Sequence, residues 1–132
     1  MAEEIRSHIV YETRDGRAYI TIDRPAKRNA LTFEMLDEIV RRIDEAEQDD
    51  DVKVIVLSGR GDDFCAGHDL DQVASMYGMA EPSNRRPSQR VRLQHDRRHA
   101  EQFQRVMFAM KPVLSLVRGH CVGAGLYLVE AS

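Results

Sequence analysis

The sequence predicts a single α/β domain, and two observations carry that expectation. An apolar strand, a tight turn of small residues and a helix follow one another twice. Val54–Leu57 leads to Ala66-Gly67-His68-Asp69, and Val113–Val117 leads to Gly123-Ala124-Gly125. Ahead of both, the alternating segments His8–Thr13 and Ala18–Asp23 flank Asp15-Gly16, a hairpin signal because glycine accepts positive φ. The 132 residues suit one modest domain, taken as residues 1–132.

Composition narrows the function classes. Hydrophobic residues at 42% and charged residues at 31% describe an ordinary water-exposed globular chain. A net charge of −3 without a block of one sign argues against a nucleic-acid partner or a polybasic membrane anchor. No apolar run approaches the ~20 residues of a membrane helix, and the acidic start Met1–Arg6 lacks the apolar core of a signal peptide. Cys65 and Cys121 lie among small or apolar neighbours and read as reduced packing residues. The expected compartment is the cytoplasm.

Each element has its own local reason. Ala18, Ile20 and Ile22 share one strand face, and Pro25 closes that strand before the basic turn Arg24–Arg28. Thr32 is the expected N-cap of a helix running to about Gln48, with Leu36, Ile39, Val40 and Ile43 as its buried stripe. Asp37–Arg41 and Glu38–Arg42 are i,i+4 pairs for its wet side. The continuous run Val54–Leu57 is expected to be buried on both faces. A short helix over Asp69–Tyr77, an exposed loop over 79–90 and a long helix over Val91–Met110 follow. The expected stripe of that helix is Leu93, Ala100, Phe103, Met107 and Met110, with Pro112 as its stop. A last helix is expected from Leu126 onward. With no C-cap signal at Ala131-Ser132, the chain reads as ending inside that helix, as a truncated domain would.

The two turns place main-chain N–H groups at helix starts, where partial positive charge favours an anion. Glycine admits a ligand close to the backbone. Two such turns on adjacent strands would aim two donors at one oxygen, an oxyanion hole in outline.

The motifs Arg24-Pro25, Arg28-Asn29-Ala30-Leu31-Thr32, Val54–Gly59, Phe64-Cys65-Ala66-Gly67-His68-Asp69-Leu70, Lys111-Pro112 and Gly119–Gly125 stand in an order that resembles the crotonase family, the enoyl-CoA hydratases and isomerases. The resemblance covers Ile9–Ser132, the N-terminal half of that domain. It implies a spiral of ββα units, assembled as trimers or hexamers, that processes acyl-CoA thioesters. Coenzyme A then enters as part of the substrate, and no separate cofactor is implied.

By the same resemblance the oxyanion donors are the backbone N–H groups of His68 and Ala124, with the imidazole of His68 a bystander. Lys27 or Arg28 would meet phosphate. Ala30, Ala66, Gly67, Asp69, Leu70 and Gly123 would line the substrate, although Asp69 could serve only as a helix cap. Tyr127 stands where the hydratases carry a glutamate, and a phenol is a poor general base at neutral pH. Glu130, nearly one turn on, is expected at the surface. The resemblance therefore implies enolate stabilisation better than hydration. An isomerase, hydrolase or decarboxylase of the family stays open, as does a non-catalytic acyl-CoA-binding or assembly relative.

His95 and His99 share one helix face at zinc-ligand spacing, but two arginines lie between them and no third ligand is evident, so no metal is expected. Gly119–Gly125 lacks the G-x-G-x-x-G spacing of a dinucleotide loop.

Overall fold

A computed structural model describes residues 7–79 and 86–132. Strands β1 (Ile9–Arg14) and β2 (Arg17–Ile22) form the expected antiparallel hairpin, in the register Ile9↔Ile22 to Arg14↔Arg17. Its turn needs left-handed backbone at both Asp15 (φ 50°) and Gly16 (φ 74°), the demand that the Asp-Gly pair meets. Strand β3 (Val54–Gly59) lies parallel to β2, and β4 (Val113–Leu116) parallel to β3, giving the sheet order β1-β2-β3-β4.

Parallel neighbours need a long crossover, and helix α1 (Phe33–Gln48) supplies it between β2 and β3. The Thr32 hydroxyl accepts from Met35 N at 3.2 Å, so the expected N-cap is the real one. Leu36, Ile39 and Ile43 join Ile20, Ile55, Leu57 and Phe64 in one core cluster. Ile55, Val56 and Leu57 are all buried, as a strand covered on both faces requires. β4 differs: Leu114 and Leu116 are more than half exposed.

Helix α2 (Leu70–Met76) is short and capped by Asp69, whose carboxylate accepts from Gln72 N at 3.0 Å. Helix α3 (Gln89–Met107) packs against α1 and against α4 (Ala124–Ala131), which also meets β4. No helix among the described residues is long and apolar enough to cross a membrane.

Several expectations fail, most of them in the second half of the chain. The expected apolar stripe of α3 is its buried face only in part: Phe103 packs against the core, but Leu93, Ala100, Met107 and Met110 are exposed, whereas Gln102 and Val106 are buried. The reason is the neighbour it meets. α1 offers carboxylates there, so Gln102 Nε2 donates to Asp37 Oδ1 at 2.6 Å and Arg105 pairs with Glu47 at 2.5 Å. The same contact draws Asp37 away from Arg41. Asp37 pairs with Arg98 instead, and Arg41 joins Glu38, which also holds Arg42.

The boundaries shift as well. α3 starts two residues early behind the Ser88 cap and ends before Pro112, where Glu47 accepts from Met110 N at 2.6 Å. The exposed loop expected over 79–90 therefore loses its last two residues to the helix, and its residues 80–85 lie outside the described residues. α4 begins at Ala124, not Leu126.

Candidate functional site

The basic turn is shaped by Asn29. Arg28 and Asn29 both adopt left-handed backbone (φ 50° and 58°), and Asn29 is fully buried. Its Oδ1 accepts from Arg24 N at 2.9 Å, and its Nδ2 donates to Arg60 O and Asp63 O at 3.0 and 2.7 Å. One amide thereby fastens this turn to the loop after β3. The following residues pair with the first glycine turn as a short parallel ladder. Ala66 N donates to Arg28 O, Leu31 N to Gly67 O and Asp69 N to Leu31 O, at 2.7–3.0 Å. Asp69 Oδ2 also meets Arg24 Nη1 at 2.7 Å. The Gln72 amide, with the Arg24 guanidinium beside it, holds the Asp69 carboxyl below the usual carboxylate range. Its side chain is thus a cap and a strut.

The second glycine turn lies against the first. Cys65 N donates to His120 O and Val122 N to Cys65 O, a parallel bridge between Cys65 and Cys121. Both thiols are free, and burial pushes Cys65 up to about 11. A side chain cannot fit between the turns. A Cβ on Gly67 (φ 104°) would come within 3.1 Å of Val122 O and 3.9 Å of Ala124 N, and one on Gly125 within 2.7 Å of Cys65 O. Among the described residues, neither His68 N nor Ala124 N donates to a protein acceptor. Ala124 is the first residue of α4, whose opening amides have no partner inside the helix.

Two concavities flank these turns. A groove of about 240 Å³ is lined by Lys27, Ala30, Ala66, His68, Asp69, Leu70 and Asp71. Five of these are residues assigned to substrate by the resemblance. Arg28 is not among them; its guanidinium instead approaches His120 Nε2 at 3.4 Å, and His120 is held by Asp63 at 2.6 Å. Gly67 and Gly123 serve as the close contact between the turns.

The second concavity, of about 430 Å³, is bounded by Phe33, His68, Val73, Met76, Tyr77, His99, Phe103 and Tyr127, with Asp96 and Ala100. Tyr127 packs edge-on against Phe103, and Glu130 is exposed, as expected. His68 lines both concavities. Its imidazole packs on Phe33 and His99, and its Nδ1 is buried with no partner among the described residues. Burial, with His99 nearby, pulls its pKa below the ordinary imidazole value. The His68 imidazole is therefore a wall of the cavity.

Sequence reasoning missed Phe33, Tyr77, Asp96 and His99 as cavity residues. The signal was present in part: His95 and His99 do share a face, but they flank the Phe33 ring. Among the described residues no cluster of three or more His, Cys, Asp or Glu could hold a metal.

Residues 12–132 match the model of the enoyl-CoA hydratase/isomerase family. The chain belongs to that family. It is 32% identical over 128 residues to a peroxisomal Delta(3,5)-Delta(2,4)-dienoyl-CoA isomerase of Arabidopsis thaliana, covering 93% of this chain and 45% of the relative. It is 33% identical over 112 residues to an enoyl-CoA hydratase of Alternaria alternata, covering 85% and 34%. The crystal structure of an enoyl-CoA hydratase/isomerase from Xanthobacter autotrophicus Py2 superposes with a TM-score of 0.80 at 33% identity, covering 92% of this chain and 42% of that one. The fold is thus the crotonase fold in part, and the chain spans less than half the length of these relatives.

Proposed function

We propose that this chain binds an acyl-coenzyme A thioester with the nucleotide end along the Lys27 groove and the acyl group in the Phe33 cavity. The observation that carries this reading is the place where the two meet. Groove and cavity share His68, beside two contacting turns whose His68 and Ala124 amides have no protein acceptor among the described residues. A thioester oxygen there would face two donors already held in position. Negative charge that develops on that oxygen when the α-carbon loses a proton would be stabilised as an enolate.

Tyr127 on the cavity wall favours isomerisation or another enolate reaction over addition of water. The test uses the intact protein with two thioesters. Solvent deuterium should enter the α-carbon of butyryl-CoA, and hydration of crotonyl-CoA, followed by loss of enone absorbance, should be weak. Tyr127→Glu should raise hydration. Strong hydration by the unaltered protein would defeat the preference for isomerisation, and absence of deuterium exchange would defeat the enolate reading itself.

A further inference from the structure

The cavity holds a histidine whose ring orientation is dictated from outside it. Asp37 Oδ1 accepts from Gln102 Nε2 at 2.6 Å, so the Gln102 amide must present its oxygen on the other side. Gln102 Oε1 lies 3.0 Å from His99 Nδ1. An amide oxygen only accepts, so His99 Nδ1 carries the proton and donates it there. In the neutral ring, Nε2 is then left with its lone pair. Among the described residues Nε2 has no hydrogen-bond partner, and His99 lines the cavity beside His68, ring centroids 4.8 Å apart.

We infer that His99 is the proton acceptor of this cavity, taking through Nε2 the proton that the hydratase-type carboxylate, replaced here by Tyr127, would otherwise take. The inference rests on the enolate reading above. In the step it describes, the substrate α-C–H bond breaks and an Nε2–H bond forms. The electron pair of the C–H bond passes into the thioester as an enolate, whose oxygen faces the two amides. Return of the proton to carbon restores neutral His99. Throughout, Nδ1–H stays on Gln102 Oε1, so Asp37 and Gln102 position the base without touching substrate.

The surroundings suit a base that is free at neutral pH. On α3, His99 is flanked by His95, Asp96 and Arg98; His68 faces it from the turn before α2, and Tyr77, bonded to Asp96, from the end of α2. Tyr127 faces from α4, and Asp37 acts from α1 through Gln102. Burial is the largest influence on His99 and draws it below the ordinary imidazole value, which keeps Nε2 unprotonated.

The experiment is α-deuterium exchange of butyryl-CoA across pH, with imidazole nitrogen NMR on the same samples. His99→Ala should lower the exchange rate at least ~10²-fold at little change in KM, and added imidazole should restore part of it in proportion to its neutral form. Gln102→Met, which keeps Asp37 on Arg98, should lower the rate with KM unchanged and abolish the preference for the Nδ1–H form. Exchange by the unaltered protein that survives in His99→Ala, or a loss that imidazole does not restore in a folded variant, overturns the role of His99 and leaves the enolate reading standing. No exchange by the unaltered protein overturns both.

Discussion

The two glycine turns are made by the same local pattern yet are held in different ways. The first is fastened by long-range polar contacts: the ladder to Arg28–Leu31, the Arg24–Asp69 ion pair and the buried Asn29 amide. The second has fewer such contacts around its glycines: two main-chain bonds with Cys65, the Asp63–His120 contact ahead of it, a close glycine contact and the start of α4, with Val122 and Gly123 exposed. Among the described residues their strands differ likewise: β3 is covered on both faces, and Leu114 and Leu116 of β4 are more than half exposed. An amide can therefore be aimed either by a network around it or by a helix that begins at it. The first arrangement rests on polar contacts from distant residues, and the second on the start of a helix whose first residue is buried in the core.

The largest effect on activity should come from the second turn. Ala124→Pro removes one N–H at the first position of α4, where proline is tolerated. The α-exchange rate should fall by roughly 10²–10³ in a variant that still unfolds cooperatively, with some loss of stability because Ala124 is buried in the core. A rate within threefold of the original would remove Ala124 from the site.

The first turn should fail the other way. Asn29→Ala strips three hydrogen bonds from a buried position and should cost about 3 kcal/mol by urea unfolding. Val122→Thr in the second turn should cost less than about 0.5 kcal/mol. Equal losses would erase the contrast between the turns.

Acid should separate them next. Asp69 has a folded pKa below its unfolded value of about 4. Its contribution is complete above that unfolded value and is lost as pH falls through the lower folded one. Asp69→Asn should lower stability at pH 7 by about 1–2 kcal/mol and flatten the decline below pH 4. An unchanged acid limb would show that Arg24 and the cap act through packing alone.

The smallest effect belongs to the groove rim. Lys27 is exposed, so Lys27→Ala should weaken coenzyme A thioester binding only about two- to fivefold and reduce its salt dependence. Calorimetry that finds no change in either would take Lys27 out of the groove.

The hairpin, the Thr32 cap, the doubly covered β3 and both glycine turns could be read directly from the residues, because each depends on neighbours within a few positions. Positive φ at Asp15-Gly16 or a hydroxyl three residues before a free N–H leaves a local mark. Five of the residues that the resemblance assigns to substrate line one groove. The sequence alone did not say which face α3 would bury or which partner Asp37 would choose. Apolar periodicity marked Leu93 and Met107, but the neighbouring helix presents carboxylates, and a buried carboxylate must be paired before a leucine gains from burial. That polar contact turns α3 so that His99 meets His68, 31 residues earlier, and only there does the cavity acquire its two imidazoles. Composition and spacing determined the elements and their turns. Competition between charges distant in the chain decided the wall of the site, because such pairing depends on three-dimensional proximity that no local pattern records.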